Sequence, residues 1–276
     1  MTNIPAFEDF MLREARRLWH GKHLAETKAK LQRFAEFKSY GSRPLDAFKP
    51  ADIYRFSDHL QDEGLGDNTI NHYFAAISAV FKHAVEMELI THAPKIKWFK
   101  IRSGRPRFLS ADEVTKLDRF LSNHSHNWMQ HFVRLSLNTG MRLGEILKIT
   151  PDDVSQTEDG WWVELRDTKN GDDRSVPLNR QAFEALEALN LEPSKFYSHR
   201  KFYNTWAEAR RAIAKNDVHF VFHVLRHTAA TNMANDLRVP SNLIAQMLGH
   251  RSERTTAKYV HAKAATLQDI VKQMGG

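Results

Sequence analysis

Apolar residues recur at spacings of three and four along the first hundred residues, which is the pattern of amphipathic helices. Glycine and proline interrupt the pattern between successive stripes, and the clearest helix begins at Asn68 or Thr69. The stripes comprise Phe7, Phe10, Met11 and Leu18; Leu31, Phe34 and Phe37; Ile53, Phe56 and Leu60; and Ile70, Tyr73, Phe74, Ile77, Val80, Phe81, Ala84 and Val85. This region therefore predicts an all-helical domain with the stripes as its core.

A second helical region follows. Ser110 with Glu113 three residues later forms a capping box, which marks the start of a helix. Gly140 and Gly249 are placed to end helices, because glycine adopts the left-handed conformation of a C-cap easily. Further helices are expected over residues 128–138, 142–148, 180–189, 201–214, 225–235 and 241–248.

Two segments of this region have strand composition instead. Residues 161–166, with two tryptophans and a valine, and residues 174–178 both read as strands, and Asn170-Gly171 between them is a strong hairpin signal. The fold class is therefore mainly α, with a small antiparallel β-sheet in the second half. We expect a helical domain over 1–98, a linker over 99–107 and a second domain over 108–276.

Composition restricts the class of protein. The 276 residues are 42% hydrophobic and 26% charged, as in ordinary soluble domains, and no apolar run is long enough to span a bilayer. With no cysteine the chain has neither disulfides nor thiolate metal sites, which suits the reducing cytoplasm. A cytoplasmic protein without a membrane partner is expected.

The net charge of +7 is concentrated in one place. Residues 95–107 hold six basic side chains and no acidic one: Lys95, Lys97, Lys100, Arg102, Arg105 and Arg107. A basic block between two domains is often a solvated linker, but it also suits contact with a phosphate backbone. We take these six residues as candidates for DNA binding.

The candidate chemistry lies mainly in the last third of the chain. Arg142, His223, Arg226, His250 and Tyr259 supply two guanidiniums, two imidazoles and a phenol. Guanidinium forks match the oxygens of a phosphate, imidazoles move protons near neutral pH, and a tyrosine oxygen can form a covalent intermediate. This set suits attack on a phosphodiester, with charge neutralised by cationic side chains.

A metal site is not expected. His223 and His227 are four residues apart, a spacing that suits zinc, but a metalloprotease motif needs glutamate directly after the first histidine. Val224 stands there, and no third ligand has a suitable spacing.

Taken in order, five segments resemble the tyrosine recombinase (phage integrase) family. They are Thr-Gly-Met-Arg-Leu-Gly-Glu-Ile-Leu, Thr-Lys-Asn-Gly ahead of Arg-Ser-Val-Pro-Leu, His-Val-Leu-Arg-His-Thr, Leu-Gly-His and Thr-Thr-Ala-Lys-Tyr-Val-His. The resemblance covers the second domain, and the helical first hundred residues look like the core-DNA-binding domain of the family. It implies the fold of DNA breaking-rejoining enzymes.

The resemblance also implies residue roles. Arg142 and Arg226 would clamp the scissile phosphate, and Lys169 would protonate the leaving 5′-oxygen. His223 would accept or relay the proton of the nucleophile, and His250 would hydrogen-bond the phosphate. Tyr259 would form a 3′-phosphotyrosine, and Glu145 would be a supporting acidic residue. One departure is Val224, where many members have aspartate.

Further expectations follow from the same resemblance. The bond energy is kept in the phosphotyrosine, so neither a cofactor nor a metal is required. The partner would be double-stranded DNA with specific recombination sites, enclosed between the two domains. The C-terminal segment carries the apolar stripe Leu267, Ile270, Val271 and Met274, which suits a helix that packs on its own domain. The resemblance instead implies an exchange helix that docks on a neighbouring protomer to couple a tetramer. Accessory DNA-bending or directionality proteins are possible partners, and no separate arm-binding domain is expected.

The preferred role is integration and excision of phage or mobile-element DNA. A chromosome-dimer resolvase of the Xer kind is the next alternative. A non-catalytic DNA-binding regulator would explain the basic block but not the catalytic pattern, and a type IB topoisomerase would use similar chemistry without specific sites. The target DNA sequence does not follow from this pattern.

Overall fold

A computed structural model of the protein describes residues 4–101, 106–166, 173–250, 253–257 and 259. The chain divides into two compact units, residues 1–103 and 104–276. Each unit has a hydrophobic core of its own. No helix among the described residues is long and apolar enough to cross a membrane.

The first unit is built from helices, as its apolar stripes predict. Those described are α1 (Phe7–Leu18), α2 (Gly21–Glu36), α3 (Pro50–Asp62) and α4 (Asp67–Glu86). Within the predicted stripes only Leu18, Phe37 and Val85 are partly exposed, and the other members are buried. Phe37 lies outside α2 because the helix ends there, and the next two residues, Lys38 and Ser39, have left-handed backbone conformations.

The second unit is mixed but mainly helical, which confirms the predicted fold class. Its described helices are α5 (Ala111–Ser122), α6 (Trp128–Thr139), α7 (Leu143–Ile146), α8 (Arg180–Glu187), α9 (His199–Ala214), α10 (Val224–Asn235), α11 (Ser241–Leu248) and α12 (Glu253–Ala257).

The predicted caps are present. Ser110 Oγ accepts a hydrogen bond from the Glu113 N–H, and the Glu113 carboxylate accepts one from the Ser110 N–H. Gly140 and Gly249 end α6 and α11 in the left-handed conformation. Helix α7 is shorter than predicted because it consists of a single turn after its N-cap residue, Arg142.

Three antiparallel strands form the small sheet in the order β1 (Val154–Thr157), β2 (Gly160–Leu165) and β3 (Arg174–Leu178). Strands β2 and β3 match the predicted pair, and Leu165 lies opposite Arg174. The predicted hairpin turn, with Lys169, lies outside the described residues. Strand β1 was not predicted, since its sequence Val-Ser-Gln-Thr is short and mostly polar.

Helix α10 lies at the centre of the second unit. It packs on α6 and α11, and most of its residues are buried on every face. Among them are the polar side chains of Arg226, Thr228 and Thr231. A central helix with buried polar groups is where the candidate catalytic residues converge.

Candidate active site

Arg142 is held at the start of α7. Gly140, with φ +70°, turns the chain out of α6, and Arg142 becomes the N-cap residue of the next helix. Its backbone N–H donates to Glu145 Oε2 at 2.8 Å, and its Nη1 donates to Glu145 Oε1 at 2.6 Å. The Arg142 side chain is 26% exposed and that of Glu145 only 7%. Glu145 thus fixes both the backbone and the side chain of Arg142.

A third residue, Arg174, joins this pair. Its Nη2 lies 2.9 Å from Glu145 Oε2, its Nη1 lies 3.2 Å from Oε1, and its Nε donates to the Met247 carbonyl at 3.2 Å. From the sequence, Arg174 was the first residue of a predicted strand and of the Arg-Ser-Val-Pro-Leu motif, but it had no expected role in the site. An arginine inside a family motif, at the start of a predicted strand, is the signal that could have found it.

The Glu145 carboxylate is charged in this setting. Burial alone would raise its pKa, but hydrogen bonds from Arg174 and from the Arg142 backbone hold the pKa below its usual value. The group therefore acts as a fixed negative charge between two guanidiniums at neutral pH.

Arg226 is the most deeply placed cation of the site, since it is 1% exposed. Its Nη1 donates to the Gly140 carbonyl at 2.8 Å and its Nη2 to the Leu248 carbonyl at 2.6 Å. These bonds tie α10 to the C-terminal ends of α6 and α11. Burial, with the nearby charge of Arg142, lowers the pKa of Arg226 to about 10, so the guanidinium stays charged at neutral pH.

Tyr259 is buried, at 2% exposure, and its hydroxyl shares a 2.6 Å hydrogen bond with His227 Nδ1. The Asn235 side chain donates to the Tyr259 carbonyl. Burial raises the pKa of Tyr259, and the charges of Arg226 and Arg142 offset this only in part. In this conformation the phenol is protonated and covered.

Two histidines flank this pair. His223, predicted to accept or relay the proton, is exposed at the N-cap of α10, and its ring lies edge-on to that of His227 at 4.7 Å. The ring of His250 stacks parallel to that of Tyr259 with centroids 6.3 Å apart. His250 Nδ1 also bonds Thr256 Oγ1 at 2.8 Å, which links the end of α11 to α12.

His227 makes a contact with Tyr259 that was not predicted from the sequence. This histidine was weighed there only as a zinc ligand, since the family pattern draws attention to His223 and Arg226. The adjacent position on α10 is nevertheless the one that reaches the Tyr259 hydroxyl.

The first half of the basic segment is fixed on the first unit. The Tyr54 hydroxyl accepts from the Lys97 N–H, and the Asn71 side chain bonds both the N–H and the carbonyl of Phe99. The Phe99 ring stacks on Phe74 at 5.8 Å. The backbone over 95–100 is therefore anchored to α3 and α4 by hydrogen bonds and ring stacking.

The side chains of this segment differ in their surroundings. Lys95, Lys97 and Lys100 are exposed. Arg107 instead forms ion pairs with Glu113 at 2.5 Å and Asp217 at 3.0 Å. Arg102 and Arg105, like Lys169 and the predicted C-terminal helix, lie outside the described residues.

The site therefore gathers three groups around α10: the buried guanidinium of Arg226, the partly exposed guanidinium of Arg142 and the phenol of Tyr259. Glu145 and Arg174 form an ion pair next to Arg142. Solved structures share this architecture. The integrase of transposon Tn1549, in complex with a circular intermediate DNA, superimposes with a TM-score of 0.76 over 98% of this chain and 99% of that one, at 16% identity. The chain thus shares the fold of this integrase.

Sequence comparison defines the family. The phage integrase family model matches residues 107–266, and the phage integrase SAM-like domain model matches residues 4–98. The chain therefore belongs to the phage integrase family, the tyrosine recombinases, which are enzymes of site-specific DNA recombination. The family expected from the five motifs is confirmed.

Two relatives illustrate the match. A shufflon-specific DNA recombinase of Escherichia coli is 32% identical over 204 residues, which are 71% of this chain and 52% of that protein. A tyrosine recombinase of Thermosipho africanus is 26% identical over 257 residues, 87% of this chain and 89% of the relative. The alignment thus spans about half of the first relative and most of the second.

Proposed function

We propose that the protein cuts and rejoins double-stranded DNA at specific sites with Tyr259 as its nucleophile. The observation that carries this proposal is the position of Tyr259 beside α10, where its phenol meets His227 and the charges of Arg142 and Arg226 act on it. A nucleophile, a proton acceptor and two phosphate-binding cations in one place are the parts that phosphoryl transfer requires.

In the proposed step, the Tyr259 oxygen attacks the scissile phosphorus and forms a P–O bond to the DNA 3′ end. The bond from phosphorus to the 5′-oxygen breaks, and Lys169 gives that oxygen its proton. Arg142 and Arg226 neutralise the charge on the non-bridging oxygens, and His250 donates a further hydrogen bond to them. A 5′-hydroxyl of a second strand then reverses the step, so no external energy source is consumed.

The Tyr259 proton has a short path to solvent. It passes first to His227 Nδ1, at 2.6 Å, and His223 forms the outer member of the histidine pair. For His223 we retain the accepting or relaying role that the family resemblance implies. Because Tyr259 is buried, DNA binding has to expose its oxygen before attack.

The exposed lysines of the anchored segment supply phosphate contacts. Lys95, Lys97 and Lys100 project from a backbone that Tyr54 and Asn71 hold in place, so their charges are presented together. Arg102 and Arg105 continue the same basic run. Arg107 contributes less, because two carboxylates already neutralise its guanidinium.

The biological role that we propose is integration and excision of phage or mobile-element DNA in the cytoplasm, by a tetramer assembled on two sites. Relatives from a phage and a transposon support this role, and an Xer recombinase among the relatives keeps chromosome-dimer resolution as the alternative. The C-terminal segment would couple the protomers, and DNA-bending or directionality proteins would assist.

The test is recombination between two copies of the recognition site on one supercoiled plasmid. A nicked duplex library with a randomised core first yields this site, as the sequence recovered in covalent complex with the protein. Plasmid deletion or inversion that depends on both copies supports the proposal. Relaxation without strand exchange would identify a topoisomerase, and binding without any covalent complex would identify a regulator.

A further inference from the structure

Arg174 occupies a position that none of the proposed catalytic roles explains. It lies at the first residue of β3, and its side chain is only 10% exposed. Its guanidinium contacts Glu145 on α7 and the Met247 carbonyl on α11, and it lies against Gly249. A Cβ built on Gly249 would lie 2.7 Å from Arg174 Nη1, so a side chain at position 249 would displace this guanidinium.

The hydrogen bonds around Glu145 are shared equally between two arginines. Oε1 accepts from Arg142 Nη1 at 2.6 Å and from Arg174 Nη1 at 3.2 Å. Oε2 accepts from the Arg142 N–H at 2.8 Å and from Arg174 Nη2 at 2.9 Å. The Arg174 pair is a side-by-side, two-bond contact, the geometry that arginine makes with a carboxylate and lysine does not.

The charges at this point explain why two arginines are needed. A single buried carboxylate neutralises one adjacent guanidinium, because Coulomb attraction at short range is strong in a poorly solvated site. With Arg142 alone beside Glu145, the local charge would be zero. With Arg174 present, the three groups together keep one positive charge, and the more exposed of the two arginines is Arg142.

We propose that Arg174 is a positioning residue. It shares and neutralises the negative charge of Glu145, so that Glu145 fixes the Arg142 guanidinium while the positive charge of Arg142 stays available to a DNA phosphate. Through its bond to the Met247 carbonyl it also holds the end of α11, which leads into His250. This inference rests on the proposed phosphate-binding role of Arg142.

Arg174→Lys and Arg174→Gln distinguish charge from geometry. Lysine keeps the positive charge but loses the two-bond contact, so we expect cleavage of nicked DNA to slow by roughly 10-fold. Glutamine loses both, and the expected loss is about 10²–10³-fold, because Arg142 is then no longer held as a phosphate-stabilising donor. The measurement is the single-turnover rate of covalent complex formation at saturating protein, with DNA affinity measured separately.

Arg134→Lys is the matched control. Arg134 also makes a two-bond contact with a carboxylate, that of Asp118, but on α6 at a half-exposed surface. This variant should cleave at the wild-type rate. Arg174 variants that bind DNA within about 3-fold of wild type, melt normally and yet cleave slowly would support a positioning role.

A double variant tests whether Arg174 acts through Arg142. If it does, the loss in Arg142→Lys/Arg174→Gln is clearly smaller than the product of the two single losses, because part of the effect of Arg174 is exerted through Arg142. Independent, multiplying losses would overturn the inference, as would a wild-type rate in Arg174→Gln.

Folding failure does not block the test. Should Arg174→Gln unfold, Arg174→Lys keeps the positive charge beside Glu145 and remains the test: slow cleavage with intact DNA binding supports the inference, and a wild-type rate overturns it. The proposed function is checked separately by wild-type protein and Tyr259→Phe. If wild type forms no Tyr259-dependent complex, both proposals fail; if it does and the Arg174 variants match it, only this inference fails.

Discussion

At the scale of single residues, the candidate site depends on charges that are held before any phosphate arrives. Arg226 donates to two main-chain carbonyls, and Arg142 is fixed by Glu145 on its backbone and its side chain. Preorganised donors of this kind stabilise a transition state without a reorganisation cost at the moment of reaction. Their geometry therefore matters as much as their charge.

The first prediction concerns that geometry. Arg142→Lys keeps the charge but loses the planar fork that binds a carboxylate and a phosphate at once. We expect covalent complex formation with a nicked half-site to slow by about 10²–10³-fold. Single-turnover kinetics measure this, and cleavage by the variant at a near wild-type rate would contradict it.

Sequence reasoning identified residues that belong to short motifs but not their distant partners. Arg142 and Glu145 are three residues apart, so a helical turn places them together. Glu145 and Arg174 are 29 residues apart, and His227 and Tyr259 are 32 apart. No periodicity indicates such contacts, because they depend on how the sheet and α12 pack around α10.

At the scale of elements, the helices were the most predictable part of the fold. Glycines and capping residues indicated the ends of α5, α6 and α11, and apolar spacing indicated α4. Helix α12 and strand β1 were not predicted. The helix has five residues and the strand has four, and neither sequence carries a clear apolar pattern. Short polar elements form through tertiary packing, which a local pattern does not contain.

The turn at Gly140 leads to the second prediction. An alanine at position 140 would have to adopt φ near +70°, which is unfavourable in free energy for a residue with a Cβ. That Cβ would also collide with the Leu248 side chain. We expect Gly140→Ala to destabilise the fold by about 1–3 kcal/mol. We also expect slower cleavage, because Arg226 bonds the Gly140 carbonyl.

Gly144 provides the matched control for this change. It lies in α7, and a Cβ there would have no atom within 4 Å. Gly144→Ala should leave the free energy of unfolding unchanged or slightly higher, since alanine favours helix. Urea denaturation of both variants measures the difference, and equal stability of the two would refute the account of the Gly140 turn.

The third prediction concerns the anchored basic segment. Replacing Lys95, Lys97 and Lys100 with alanine should lower DNA affinity and reduce the slope of log K against log salt by about one for each phosphate that the variant no longer neutralises. Asn71→Ala, which frees the Phe99 backbone while keeping every charge, should weaken binding less.

Arg107→Ala is the comparison for this set. Its guanidinium is already paired with Glu113 and Asp217, so the salt slope should change little while stability falls. Titrations at several salt concentrations separate these effects. An unchanged slope in the triple lysine variant would exclude the segment from the DNA interface.

At the scale of the whole molecule, the central question is how one chain acts together with others. The fourth prediction is that deletion of residues 265–276 abolishes recombination between two sites while DNA binding is kept. The reason is that the apolar stripe of this segment is proposed to dock on a neighbouring protomer. Gel-shift and plasmid recombination assays compare the two activities, and undiminished recombination by the truncated chain would make the segment dispensable.

The last prediction addresses the central claim, that Tyr259 carries the DNA. Wild-type protein and Tyr259→Phe are incubated with a nicked duplex bearing the selected recognition site, and the covalent product is digested and analysed by mass spectrometry. The account predicts a DNA 3′-phosphate on the peptide containing Tyr259, formed by wild type and absent from the variant. Attachment at another residue, or an equal yield from Tyr259→Phe, would contradict it.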